Sequence, residues 1–172
     1  MSKLPNHCVV DTNVATTANG ANQGASQGCV VSSAKALQTV METGHVYVDA
    51  SGLIVAEYRK NLSAKGQPGP GDVFLKWLLT HEWGGSRVIR VPINPVAGNP
   101  EDFDELPVGN TYDASDRKFL EVAAAHTPHP SLLQSFDSKW WGWQDSLATV
   151  GLKIHFLCEG DIEAKHAMKM GG

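Results

Sequence analysis

Five carboxylates in this chain stand where a polar group needs a reason. Asp11 ends the apolar run His7-Cys-Val-Val, and Asp137 ends Ser131-Leu-Leu-Gln-Ser-Phe. Both have the form of a buried parallel strand whose carboxyl end delivers an acid. Glu57 shares a helical stripe with Leu53, Ile54, Tyr58 and Asn61, which sets a carboxylate toward the core. Asp116 leads Phe119, Leu120 and Ala123 at i+3, i+4 and i+7, with Asp113 one turn earlier. A helix N-terminus suits an acid, so one of these two is expected simply to cap.

In open parallel sheets, ligands bind beyond the carboxyl ends of the strands, where Asp11 and Asp137 are expected. Two carboxylates about 5 Å apart at an effective dielectric near 20 repel by roughly 3 kcal/mol, and three or four together by several times that. A bound Mg²⁺ or Mn²⁺ would remove the penalty. Such hard cations take oxygen ligands, with waters and substrate phosphate completing the shell. They polarise a phosphoryl oxygen and lower the pKa of a bound water, so phosphodiester hydrolysis is the natural reaction. We expect Asp11, Glu57, Asp116 and Asp137 to be catalytic and, with Asp113, to hold the metal.

The elements that must position these acids alternate. Helical spacing covers Cys29 to Thr43, with Gly44 as a stop, and His45-Val-Tyr-Val-Asp49 repeats the strand-to-acid form. Asp49 or Ser51 is expected to cap the next helix, to about Leu62. Asp72 to Glu82 and Tyr112 to Ala125 are further amphipathic helices, Arg87 to Val91 a short strand, Trp140 to Val150 a helix, and Lys153 to Leu157 the last strand. The Gly-rich stretch 19–28 reads as a mobile loop and 92–110 as irregular. Strands alternating with helices predict a mostly parallel, three-layer α/β fold. With no repeat and no change of composition, residues 1–172 are expected to form a single domain.

Composition narrows the functional class. At 172 residues the chain is long enough to bury roughly 70% of its unfolded surface without staples. The three cysteines, Cys8, Cys29 and Cys158, are far apart and never in a C-x-x-C pair. Reduced thiols are therefore expected, with neither a disulfide framework nor a zinc cage. No apolar run approaches the roughly 20 residues of a membrane helix, and the N-terminus does not resemble a signal peptide. A cytoplasmic protein without membrane contact follows as an expectation. The net charge of −4 argues against a broad basic face for nucleic acid, although acids gathered around a metal would invert the local field. The Gly-rich loop lacks the Gly-Lys-Ser/Thr of a phosphate-binding loop.

Taken together, Val-Val-Asp11-Thr-Asn13-Val, Ile54-Val-Ala-Glu57-Tyr-Arg, Asp113-Ala-Ser-Asp116-Arg-Lys-Phe-Leu and Phe136-Asp137-Ser-Lys-Trp140 resemble the PIN-domain nucleases. The resemblance runs in order over nearly the whole chain. It implies a Rossmann-like fold and Mg²⁺- or Mn²⁺-dependent endoribonuclease activity, with activated water attacking a phosphodiester in line. It makes Asp11 the central ligand, with Thr12 or Asn13 orienting it or the substrate. Glu57, Asp116 and Asp137 are the other acids, and Asp113 an extra or substitute ligand. A toxin or defence role, with an antitoxin or other partner protein and a possible homodimer, is compatible with this family. So are RNA processing and action on DNA.

Each feature also has a plainer reading. Asp11 and Asp137 can be turn formers, Glu57 half of a buried ion pair, and Asp116 a cap. Arg59, Arg117 and Lys139 are candidate phosphate contacts, yet cations on helices and turns more often form solvated faces. Trp140, Trp141 and Trp143 can stack on bases, but packing is the expected use. The seven histidines form no H-x-x-x-H pair and are expected to be structural. From a different class, the chain reads as a PIN-like binding or scaffold module with silent acids.

Overall fold

The computed structural model describes residues 3–96, 99–103 and 112–171. Its centre is β1 (His7–Val10), in which Cys8, Val9 and Val10 are fully buried. Such a strand needs neighbours on both edges and cover on both faces. It has β2 (His45–Asp49) on one side and β6 (Ser131–Gln134) on the other. β3 (Val88–Val91) lies outside β2, and β7 (Ile154–Phe156) outside β6. The order β3-β2-β1-β6-β7 is parallel throughout. The protein is thus a three-layer, Rossmann-like α/β fold. The strand order reverses between β1 and β6, which makes the carboxyl end of that pair the crevice where such sheets bind ligands.

The crossover helices are set by local chemistry. Asp11 caps α1 (Thr12–Ala18), its Oδ2 accepting the Asn13 N–H at 3.0 Å. Ser26 caps α2 (Gln27–Thr43) through the Cys29 N–H. The Asp49 carboxylate accepts the Leu53 and Ile54 N–H groups, each at 2.8 Å, and starts α3 (Leu53–Asn61). In α4 (Pro70–His81) the buried Asp72 accepts from Ser63 N, Gly69 N and Asn19 Nδ2. Those bonds outweigh its burial and hold its pKa below the usual value. α5 (Ala114–Ala125) packs on β1, β2 and β6, and α6 (Lys139–Ala148) on α7 (Glu159–Gly171). Among the described residues no helix is long and apolar enough to cross a membrane.

Three expectations are corrected, and two helices were not anticipated. Thr12–Ala18 is a helix, missed because a seven-residue, threonine-rich segment shows no usable period. The stretch 19–28 is tied down: Asn19 Oδ1 accepts the Gly71 N–H at 2.7 Å, Asn22 bonds Thr16 and Thr17, and Gly24 lies against the Phe136 ring. Within 92–110, β4 (Pro95–Val96) pairs antiparallel with β5 (Asn99–Phe103), while 97–98 and 104–110 lie outside the described residues. Finally, Cys29 and Cys158 are disulfide-bonded, and only Cys8 is a free thiol. The fold brings the first turn of α2 against the β7–α7 junction across 129 residues of sequence, a proximity that spacing cannot reveal. α7 itself was not expected; it is mostly polar and buries only Ile162.

Candidate active site

The β1–β6 crevice is built from four segments. Asp11 follows β1 at 5% exposure, and its backbone N–H donates to Leu133 O at 3.2 Å, locking the acid to the end of β6. Asn13 crosses the same gap, its Oδ1 accepting the Phe136 N–H at 2.6 Å. The 134–137 turn is therefore fixed to the start of α1, and this turn presents Asp137. Gln134, fully buried, accepts the Ser135 and Asp137 N–H groups through Oε1. Its amide faces Asp11 and lowers that acid's pKa, yet Nε2 has no partner at full hydrogen-bonding geometry, so the contact is loose.

α5 brings the next two acids. Asp113 occupies the position before the helix, but its carboxylate makes no capping bond; it pairs with Lys139. The Lys139 Nζ also lies 3.2 Å from Asp116 and 3.5 Å from Asp137. One ammonium thus sits among three carboxylates. Glu57, on α3, reaches the first residue of α1, accepting from the Thr12 hydroxyl and from Lys118 Nζ at 2.7 Å. It is half-buried rather than core-facing, which resolves the tension of its apolar stripe.

Electrostatics mark Asp11 as the least comfortable acid. Burial, then the charges of Asp116 and Asp137, push its pKa up to about 8 against the relief given by Gln134 and Asn13. Burial also raises Asp116, to about 6, although Lys139 opposes the rise and Asp137 and Asp113 add to it. Burial works against the charge of Lys139, but Asp113, Asp116 and Asp137 outweigh it and raise the ammonium's pKa.

The expected acids fall in two groups: Asp113, Asp116 and Asp137 around Lys139, with Asp11 coupled to Asp116 and Asp137 by charge, and Glu57 with Thr12 and Lys118. Among the described residues no three His, Cys, Asp or Glu side chains converge as a ready-made metal site. The donors are nonetheless all carboxylate oxygens, the set a hard divalent cation prefers, and a cation, the Lys139 ammonium, already sits among three of them. Of the expected substrate contacts, Thr12 and Asn13 are used within the site and Lys139 holds acids. Arg117 Nε donates to Tyr112 O at 2.9 Å, and Arg59 is exposed in the last turn of α3. Lys118, which follows Asp116 as a possible phosphate contact, instead holds Glu57; Gln134 was not singled out as a site member, and a glutamine ending a buried strand run was the available sign of it. The tryptophans pack: Trp140 is fully buried, Trp141 lies on Phe156, and Trp143 lies on Trp140 and Tyr112.

The fold and this edge define a Rossmann-like α/β protein with an acidic crevice at its topological switch point. Comparison with known protein families, curated proteins and solved structures finds no match.

Proposed function

We propose that the protein is a metal-dependent phosphodiesterase of the PIN-like kind, an endoribonuclease. The observation that carries this reading is that Asp113 and Asp116 of the α5 start and Asp137 of the 134–137 turn share a single cation at the switch point of the sheet, with the buried Asp11 of the β1 end close enough for the charges of Asp116 and Asp137 to raise its pKa. Asp11, Asp116 and Asp137, with Asp113 at the rim, would hold Mg²⁺ or Mn²⁺, which supplies Lewis-acid stabilisation of the phosphoryl charge. Asn13 keeps Asp11 and Asp137 in register through its bond to Phe136. Thr12 orients Glu57, and Lys118 fixes its second oxygen. The partner implied is single-stranded RNA, and a toxin or defence role belongs to the same proposal. A cytoplasmic setting belongs to it too, and the Cys29–Cys158 bridge weighs against that setting, since disulfides persist chiefly in oxidising compartments.

The test is cleavage of a mixed-sequence single-stranded RNA by purified protein with Mn²⁺, with EDTA, and by Asp11→Asn. Cleavage that requires both Mn²⁺ and Asp11 is expected; DNA of the same sequence, run in parallel, decides between the sugars. The pairing of the acids with Lys139 and Lys118 favours a second reading, a binding module whose acids are neutralised internally. Absence of cleavage together with absence of Mn²⁺ binding by calorimetry selects it.

A further inference from the structure

The stripe of α7 that packs toward α6 begins with the buried Ile162 and continues at i+3, i+4 and i+7 with Lys165, His166 and Lys169. A helix stripe laid against a neighbour is ordinarily apolar for its whole length; this one turns to basic residue types after its first turn. Lys165 is used locally, its Nζ donating to Phe136 O at 3.1 Å and lying 4.2 Å from the centre of the Phe136 ring. Lys165 thereby ties the stripe to the residue beside Asp137. His166 and Lys169 then wall a groove whose other side is α6, with Ser138, Lys139 and Trp143.

Three features distinguish this groove. It shares Lys139 with the acid cluster, so the two are adjacent. Among the described residues no carboxylate lines it, although the chain as a whole carries −4. Its floor passes Gly142, inside α6, where a Cβ would come 3.1 Å from His166 Nε2. Glycine in a helix interior costs about 1 kcal/mol relative to alanine, and here it lets the histidine ring lie against the helix backbone. A groove with the basic side chains His166 and Lys169 on one wall, an indole on the other and the acid cluster beside it matches a phosphodiester strand with unpaired bases.

We propose that the α6–α7 groove is the track for one strand of single-stranded nucleic acid leaving the acid cluster, with His166 and Lys169 contacting phosphates and Trp143 facing a base. The proposal rests on the nuclease reading and adds the path of the substrate. A fluorescein-labelled, mixed-sequence single-stranded RNA is titrated by anisotropy against protein carrying Asp11→Asn, which keeps the RNA intact, over a range of salt concentrations. Adding His166→Ala and Lys169→Glu should weaken binding about fivefold to tenfold and reduce the slope of log affinity against log salt by about 0.7 to 1.4, one or two contacts at 0.7 each. Lys76→Glu, on the exposed side of α4, makes the same charge change and is the control. A loss no larger than that of Lys76→Glu, or an unchanged salt slope, overturns the track while leaving the nuclease reading intact. A parent protein that neither binds nor cleaves RNA overturns both. The thermal midpoints of all variants should agree, because Lys169 is exposed and His166 half-buried.

Discussion

Asp11→Asn should make the protein more stable at neutral pH. With its pKa at about 8 in the fold against an ordinary 3.8, Asp11 keeps a proton at pH 7 that the unfolded chain has released. At 1.36 kcal/mol per pH unit that retention costs about 4 kcal/mol, and water entering the open edge reduces it to about 2 kcal/mol. The sign follows from the raised value: native protein binds more protons than unfolded protein between pH 4 and 8, so this group makes stability fall as pH rises through that window. Asparagine keeps the cap on Asn13 N–H without the ionisation. Urea unfolding of both proteins at pH 5, 7 and 8 should show an advantage for the variant that is small at pH 5 and grows toward pH 8. Equal stability at all three, or an advantage that shrinks with rising pH, would refute the assignment of Asp11 as a strained acid. Because the variant is expected to fold well, loss of cleavage in it reports on chemistry.

Lys139→Met should bind Mn²⁺ several-fold more tightly in calorimetry, since the ammonium no longer competes for Asp113, Asp116 and Asp137; equal affinity would show that the metal uses other oxygens. Lys118→Met leaves Glu57 with only Thr12 and should lower stability by about 1–3 kcal/mol in chemical denaturation. Gly71→Ala, ordinarily favourable by about 1 kcal/mol inside a helix, should instead destabilise by about 2–4 kcal/mol, because its Cβ would lie 2.1 Å from Ala15 O. Reducing Cys29–Cys158 with a dithiol should cost about 2–5 kcal/mol, read as a lower thermal midpoint that Cys29→Ser reproduces.

The strands at the site were legible because a fully buried parallel strand writes itself as an unbroken apolar run, and an acid closing it, as at Asp11 and Asp137, has nowhere to lie but the sheet edge. Helices with a one-sided apolar face, α2, α4 and α5, were legible for the same reason. What was not legible depended on tertiary proximity. Lys139 reads as a surface cation in sequence, and only the meeting of α5 with the 134–137 turn puts it among three carboxylates. Glu57 reads as a core-facing acid, and the Thr12 hydroxyl that receives it lies 45 residues away. α7 escaped because its inward stripe is basic after Ile162, so no hydrophobic period announces it.

A helix that fully buries one side chain would fray from both ends if left alone. α7 is spared at its beginning by the sulfur bridge at Cys158, which ties its root to α2, and by Asp161, which accepts the Ser26 N–H. The result is a cantilever, clamped where it leaves the sheet and unsupported at Met168 and Met170, which are 79% and 76% exposed. Its stiffness is set at the clamp. Cutting the bridge would release one wall of the α6–α7 groove while β1, β6 and α5 kept the acids together, so thiol reduction should act on strand binding before it acts on the carboxylate cluster.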